Sequence, residues 1–139
     1  MTDLKWIEIE LGAIRHNLKW VRSQLSPGVR LMAVVKADAY GHGAARVARE
    51  AVKAGADSLA VLTTGEASSL RAAGIKAPLH VLSPGLPGAA RQTARLGVTA
   101  TVDAVDQARA LNAAAGAKGL GMHVDLDFGL GRWGIPPKR

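Results

Sequence analysis

The sequence has 139 residues, 48% of them hydrophobic and 21% charged, which suits one compact domain that buries roughly two thirds of its unfolded surface. This composition excludes a disordered chain and a collagen-like fibre. Because there is no cysteine, a disulfide scaffold, a thiolate nucleophile and a cysteine-ligated metal site are also excluded. The first twelve residues lack the apolar core of a secretion signal, and no stretch approaches about 18 uninterrupted apolar residues. We therefore expect a soluble, cytoplasmic protein with no membrane partner.

The net charge is +7, from 18 Lys and Arg against 11 Asp and Glu. Such an excess is compatible with a polyanionic partner. The basic residues, however, are spread singly or in spaced pairs, without the interleaved aromatic residues that are typical of a nucleic-acid surface. Solvated helix faces account for this distribution better, so we expect no nucleic-acid partner. An α/β module that binds a small anion or nucleic acid is kept as an alternative.

Apolar, strand-like stretches alternate with amphipathic helical patterns along the chain. In the first helical pattern Ile14, Leu18 and Val21 recur at three- and four-residue spacings, which places them on one helix face. The predicted strands are 6–10, 29–35, 58–62, 79–82, 98–102 and 120–126. The predicted helices are 11–25, 43–54, 64–73, 87–96 and, after an N-cap at Asp103, the segment that runs to 115.

Five strands from residue 29 onward start about 20 to 30 residues apart, the spacing of successive βα units in a parallel sheet. The fold class is therefore α/β, either an open doubly wound sheet or part of a TIM-type (β/α)₈ barrel. A closed barrel needs at least about 200 residues, so only about five of its eight units fit here. Residues 134–139 contain two prolines that would suit the start of another helix. We therefore expect the chain to be truncated.

Ligands of parallel α/β folds bind at the carboxyl ends of the strands. Lys36 follows the apolar stretch 29–35 directly, and Tyr40 and His42 lie in the glycine-flanked loop behind it. A lysine that loses solvation at such a position becomes a neutral amine, which can attack a carbonyl group and form a Schiff base. The other interpretation from the residues alone is a surface lysine whose ammonium group reaches solvent.

Residues 34–43 read Val-Val-Lys-Ala-Asp-Ala-Tyr-Gly-His-Gly and closely resemble the pyridoxal-phosphate attachment motif of alanine racemases. The resemblance implies that Lys36 carries the cofactor as an internal aldimine and that Tyr40 hydrogen-bonds its phosphate. Residues 6–17, 55–61 and 66–75 are also similar to this family. Residues 1–139 as a whole resemble the N-terminal part of its barrel, so the resemblance implies that the family's C-terminal β-domain is not included in these residues.

Residues 123–134 read His-Val-Asp-Leu-Asp-Phe-Gly-Leu-Gly-Arg-Trp-Gly and are similar to a second signature of the family, Lys-Val-Asp-Thr-Gly-Met-Gly-Arg-Leu-Gly. Aligned on the glycines, Arg132 falls on the arginine that reaches the cofactor's phenolic oxygen and the substrate carboxylate. Asp125 stands where the family has a lysine that is carbamylated in some members. Because a carboxylate supplies the negative charge of the carbamate without modification, we predict an Asp125–Arg132 ion pair that orients the guanidinium group.

The resemblance implies an amino-acid racemase that interconverts L- and D-alanine, supplies D-alanine for peptidoglycan and acts as a homodimer when full-length. The family removes the α-proton with the cofactor lysine on one face and a tyrosine on the other, which comes from the partner subunit's C-terminal domain. Tyr40 is the one tyrosine of this sequence and belongs to the cofactor motif. We therefore expect the isolated chain to have little or no racemase activity.

Several alternatives remain at this point. The chemistry could be that of a non-catalytic pyridoxal-phosphate carrier, although that related family lacks the Ala-Tyr-Gly-His-Gly continuation. Serine and broader-specificity racemases share the lysine motif, so the substrate is open. The chain could also fold only with a complementary fragment, because a partial barrel exposes two sheet edges. A metal site is not expected, since the four histidines have no ligand-like spacing. They are His16, His42, His80 and His123.

Overall fold

The computed structural model describes residues 5–137. Five short strands form one parallel sheet in the order β1-β2-β3-β4-β5, so each strand pairs with the next one along the chain. The strands are β1 (Met32–Val34), β2 (Ser58–Val61), β3 (Leu79–Pro84), β4 (Thr99–Val102) and β5 (Met122–Val124). The predicted α/β fold with successive parallel units is therefore confirmed, and it is the arrangement of a barrel that lacks its closing strands.

Helical segments connect the strands. They are α1 (Leu11–Ser23), α2 (Lys36–Gly41), α3 (Ala44–Lys53), α4 (Thr64–Ala72), α5 (Ala90–Leu96) and α6 (Val105–Ala115), with single 3₁₀ turns at Pro87–Ala89 and Gly116–Lys118. The predicted helices agree with these bounds to within a few residues, except that the helix predicted over 87–96 divides into a 3₁₀ turn and α5.

The larger core cluster lies between the strands β1 to β3 and the helices α3 and α4. Leu59, Val61 and Leu79 are almost fully buried there, and Ala48 and Ala51 of α3 have no exposed surface. A smaller cluster of Ala90, Ala100, Val102 and Leu111 lies under α5 and α6. The larger core is therefore centred on β2 and β3, whereas Met32 and Val34 of β1 are exposed.

Two local predictions are wrong. Residues 6–10 form no strand, because nothing pairs with them, and Trp6 is 81% exposed. The N-cap of α6 is Ala104 rather than Asp103. Asp103 instead exchanges two hydrogen bonds with Gln107, through its backbone N–H and its carboxylate, which ties the end of β4 to the first turn of the helix. The last two residues of the proline segment, 138–139, lie outside the described residues.

Candidate active site

An open cleft of about 340 Å³ lies at the carboxyl ends of the strands. It brings three of the four predicted site residues together, namely Lys36, Asp125 and Arg132. The other residues that line it are Leu62, His80, Leu82, Thr101, His123, Val124 and Trp133. A primary amine, a carboxylate and a guanidinium group thus face one space, as the position of parallel-sheet ligand sites predicts.

The segment that begins at Lys36 is a left-handed helical turn. Four consecutive residues, Ala37 to Tyr40, have φ between 49° and 56° and ψ between 38° and 52°. None of them is glycine, and the left-handed conformation costs an L-residue roughly 1–2 kcal/mol. The sequence motif gave no signal for this conformation, since such residues visit it as single positions rather than as runs. Contacts elsewhere in the fold must therefore stabilise the turn.

Two carboxylates hold this turn from its two sides. Glu66 Oε1 accepts a hydrogen bond of 2.7 Å from the backbone N–H of Ala37. Asp38 Oδ1 accepts one of 2.7 Å from the backbone N–H of Ala44 at the start of α3. Ala39 adds an apolar anchor, since it is 5% exposed and belongs to the larger core cluster. The turn is thus attached to α3, to α4 and to the core.

Tyr40 lies outside the set of residues that line the cleft, and its side chain is 61% exposed. It closes the left-handed turn, with φ 56°. The turn that contains Tyr40 directly follows Lys36 in the sequence. The Tyr40 ring, however, does not line the cleft that the amine and the guanidinium group share. Its predicted contact with a phosphate group remains a prediction.

The loop after β5 carries Arg132 and is held mainly by its own residues. Asp127 Oδ1 accepts hydrogen bonds from the backbone N–H groups of Gly129, at 2.9 Å, and Gly131, at 3.1 Å. These two donors, that of Gly131 above all, lower the pKa of the Asp127 carboxyl below its usual value. A parallel bridge between Leu126 and Ile135 closes the base of the loop.

Gly134 lets the two sides of this loop approach closely. Its φ is +101°, and a Cβ at this position would lie 2.7 Å from the backbone nitrogen of Asp127. Glycine is therefore required here by both conformation and space. The family signature that the sequence resembles has a glycine at the corresponding place, two residues after the arginine.

The predicted Asp125–Arg132 ion pair is not formed. The ion pairs within residues 5–137 are Arg15–Glu50, Arg22–Asp57 and Lys53–Glu50. The guanidinium carbon of Arg132 instead lies 4.7 Å from the centroid of the Trp133 ring, in a cation–π contact. This contact holds the exposed guanidinium group of Arg132 against the ring of Trp133, although Asp125 and Arg132 both line the cleft.

A buried histidine lies on the floor of the cleft. His80 of β3 is 5% exposed, and its Nε2 lies 3.0 Å from the hydroxyl oxygen of Thr101. That hydroxyl donates its single proton to the carbonyl of Val81, at 2.8 Å, so Nε2 must carry the proton that it donates to Thr101. His80 Nδ1 is then a lone-pair acceptor, and it is buried without a partner in the structure.

The charge state of His80 follows from its surroundings. Burial lowers its pKa below the ordinary value, and the nearby ring of His123, with centroids 4.2 Å apart, lowers the pKa further. Both effects favour the neutral form of His80. In the sequence, these two histidines show only a spacing that does not suit a metal site. No local pattern indicates that β3 and β5 bring their rings together.

Glu66 and Asp127 are two further residues whose roles sequence reasoning missed. A signal existed for Glu66, because Thr63 and Glu66 have the spacing of a capping box, and the structure contains both of its hydrogen bonds. The same carboxylate also accepts a hydrogen bond from the N–H group of Ala37, 29 residues earlier. No local sequence pattern indicates this contact. Among residues 5–137 no cluster of three or more His, Asp or Glu side chains suits a metal ion.

Comparison with known protein families decides the ancestry of this site. The family model for the alanine racemase N-terminal domain matches residues 9–139. The chain belongs to this family. The resemblance noted in residues 34–43 and 123–134 is thereby confirmed over almost the whole sequence, and the five-stranded parallel sheet corresponds to part of the barrel of this family.

Individual relatives agree. The chain is 44% identical over 139 residues to an alanine racemase of Desulforamulus reducens, which covers 99% of this chain and 38% of that protein. An alanine racemase structure from Clostridium difficile 630 superposes with a TM-score of 0.91 at 35% identity, covering 100% of this chain and 37% of the other. A histidine racemase from Leuconostoc mesenteroides has a TM-score of 0.80 at 29% identity, covering 92% and 35%.

The chain thus spans a little over a third of the length of the relatives that it matches. Those full-length proteins are racemases, and the present chain corresponds to their N-terminal part. None of the helices within residues 5–137 is both long and apolar enough to cross a membrane.

Proposed function

We propose that this chain forms the lysine-bearing part of a pyridoxal-phosphate-dependent amino-acid racemase, with alanine as the preferred substrate. The observation that carries the proposal is that Lys36 and Arg132, which are nearly a hundred residues apart in sequence, line one cleft at the carboxyl ends of the strands. An amine that can form an imine and a planar cation that can bind carboxylate are the two groups that this chemistry needs on the protein.

The donor set of the cleft fits pyridoxal phosphate. Lys36 offers the amine for covalent attachment, and Arg132 offers a bidentate fork for an anionic oxygen. Tyr40, which follows Lys36 by four residues and whose exposed ring lies outside the cleft lining, would donate its hydroxyl to the phosphate group. When bound, the cofactor supplies an electron-withdrawing ring that stabilises negative charge at the substrate's α-carbon.

The protein's own groups then have separate tasks. Lys36 Nζ would remove or return the α-proton on the face of the substrate that it meets. Arg132 would bind the substrate carboxylate and the phenolic oxygen, once its guanidinium group leaves the Trp133 ring. Asp125, on the same wall of the cleft, would orient that guanidinium group in the loaded site.

Racemisation requires a second acid–base group on the opposite face. The family supplies a tyrosine from the partner subunit, whereas the present sequence contains Tyr40 alone. We therefore propose that residues 1–139 by themselves bind cofactor but racemise alanine slowly or not at all. The complete enzyme would be a cytoplasmic homodimer that supplies D-alanine for peptidoglycan.

Alanine is proposed over other amino acids because the relatives with the higher identity are alanine racemases. A histidine racemase with a similar fold indicates that the barrel itself does not select the side chain.

The test is to mix the chain with pyridoxal phosphate, reduce it with borohydride and locate pyridoxyl adducts by peptide mass spectrometry. We expect one dominant adduct, at Lys36. Lys36→Ala should abolish it, and Lys76→Ala, which removes an exposed lysine, should leave it unchanged. Adducts scattered over several lysines, or none at all, would overturn the proposal that these five units form the cofactor site.

A further inference from the structure

The carboxylate of Glu66 joins two neighbouring βα units. Its Oε1 accepts the 2.7 Å hydrogen bond from Ala37 N–H, the first amide of the left-handed turn. Its Oε2 accepts hydrogen bonds from Leu62 N–H, at 2.7 Å, and Thr63 N–H, at 3.1 Å, at the end of β2. Three backbone donors thus converge on one side chain, and such charge-assisted bonds are shorter and stronger than neutral ones.

Helix capping alone does not account for this arrangement. A capping box needs only the reciprocal bonds between Thr63 and Glu66, which are both present. The contact of Oε1 with Ala37 adds nothing to α4. It is directed at the unit that carries Lys36, and it satisfies the N–H group at the point where the chain enters the strained turn.

Lys36 immediately precedes the amide that Glu66 holds. The direction in which its side chain leaves the backbone therefore depends on the peptide plane between Lys36 and Ala37, whose N–H points at Oε1. The distal end of the turn is fixed separately, by Asp38 on Ala44. With both ends held, Lys36 enters the cleft from a fixed backbone.

We propose that Glu66 is a positioning residue for Lys36, acting through the backbone of the left-handed turn. This inference rests on the proposed function, in which Lys36 is the attachment lysine. Glu66 does not touch the reacting atoms. Its role is to keep the turn in the one conformation that aims the amine into the cleft.

The structure provides a matched control for this role. Thr63→Ala removes the hydroxyl that accepts a hydrogen bond from Glu66 N–H, at 3.2 Å, and so weakens the cap of α4. It leaves all three hydrogen bonds to the carboxylate in place. Glu66→Gln keeps the length of the side chain but exchanges one acceptor oxygen for an NH₂ donor, so it cannot satisfy both sides. Glu66→Asp keeps the charge but is too short to reach both units.

The experiment has one arm without cofactor and one with it. In the first arm, NMR amide exchange in the full chain should be at least tenfold faster at Ala37 in Glu66→Gln and Glu66→Asp than in the parent, and within threefold of the parent in Thr63→Ala. In the second arm, the rate of borohydride-trapped labelling of Lys36 by pyridoxal phosphate should fall at least fivefold in the two Glu66 variants and not in Thr63→Ala.

The outcomes separate the two proposals. If the parent labels no single lysine, the proposed cofactor site fails, while the exchange rate at Ala37 still tests the turn. If both Glu66 variants fold and leave the exchange rate at Ala37 and the labelling rate as in Thr63→Ala, positioning by Glu66 is overturned. If one Glu66 variant fails to fold, the other decides.

Discussion

The turn that follows β1 and the loop that follows β5 each contribute a cation to the cleft, but they differ in what holds their backbones. The Lys36 turn is fixed by Glu66 of α4, by its own Asp38, which accepts a hydrogen bond from the start of α3, and by the buried Ala39. The Arg132 loop is held by its own Asp127 and by glycines, and Arg132 is exposed. The backbone that carries the amine is therefore fixed by contacts with neighbouring βα units, whereas the backbone that carries the guanidinium group is held within its own loop.

The largest expected effect compares the residues that precede the two sites. Val35, just before Lys36, is 1% exposed, and Val124, just before Asp125, is 62% exposed. Val35→Ala should lower the free energy of unfolding by about 2 kcal/mol, because buried methyl groups are lost and a cavity remains. Val124→Ala should change it by less than about 0.5 kcal/mol. Urea denaturation measures both, and equal losses would contradict the contrast between the two regions.

A smaller effect tests the left-handed turn itself. Ala37→Gly should raise the free energy of unfolding by about 0.5 kcal/mol, since relief of the positive φ exceeds the extra chain entropy of glycine. The N–H bond to Glu66 is retained in this variant. Ala113→Gly, at an exposed position of the right-handed α6, should instead lower it by up to about 1 kcal/mol. Changes of opposite sign in the free energy of unfolding of the two variants, measured by thermal or urea unfolding, would support the left-handed turn. A loss of stability in both variants would contradict it.

His80, on the floor of the cleft that both regions line, predicts that the free energy of unfolding depends on pH. Because burial and His123 lower the pKa of His80 in the folded state, the unfolded chain takes up a proton first as the pH falls below about 6.5. The free energy of unfolding should therefore decrease between pH 7 and pH 5, before the carboxylates with lowered pKa begin to titrate. His80→Leu should flatten this part of the profile in urea titrations. An unchanged slope in that variant would show that other groups cause it.

The smallest effect on overall stability is expected at Asp127. Asp127→Asn replaces charge-assisted bonds by weaker ones at the N–H groups of Gly129 and Gly131. Amide exchange at Gly131 should become faster while the urea midpoint barely moves, because the loop lies outside both core clusters. Since its carboxyl pKa is lowered, acid should loosen the parent loop only below the usual range of an aspartate. A large shift of the urea midpoint would mean that the loop is part of the cooperative core.

The repeating βα units of this molecule could be predicted from the sequence. Amphipathic helical patterns located α1, α3, α4 and α6 to within a few residues, and apolar stretches located the five strands of the sheet. Sequence reasoning failed at residues 6–10, where apolar and charged residues alternate but no strand is available to pair with. Local pattern does not report whether a partner exists.

At the site, the motifs identified Lys36 and Arg132, and both line the cleft. The handedness of residues 37–40 and the role of Glu66 depend on contacts between units that are distant in sequence. The Asp125–Arg132 pair is predicted from the family alignment and from opposite charge, and neither accounts for the competing Trp133 ring. What sequence could not supply, therefore, is the set of side-chain contacts that act across units.

Because neighbouring strands follow one another along the chain, the contacts that hold the turn after Lys36 belong to one short stretch of nascent chain. This turn, α3, β2 and the Glu66 carboxylate are all encoded before the end of α4 at Ala72, about 60 residues ahead of Arg132 in the order of synthesis. On the ribosome, the amine can therefore be set in place before the arginine loop exists.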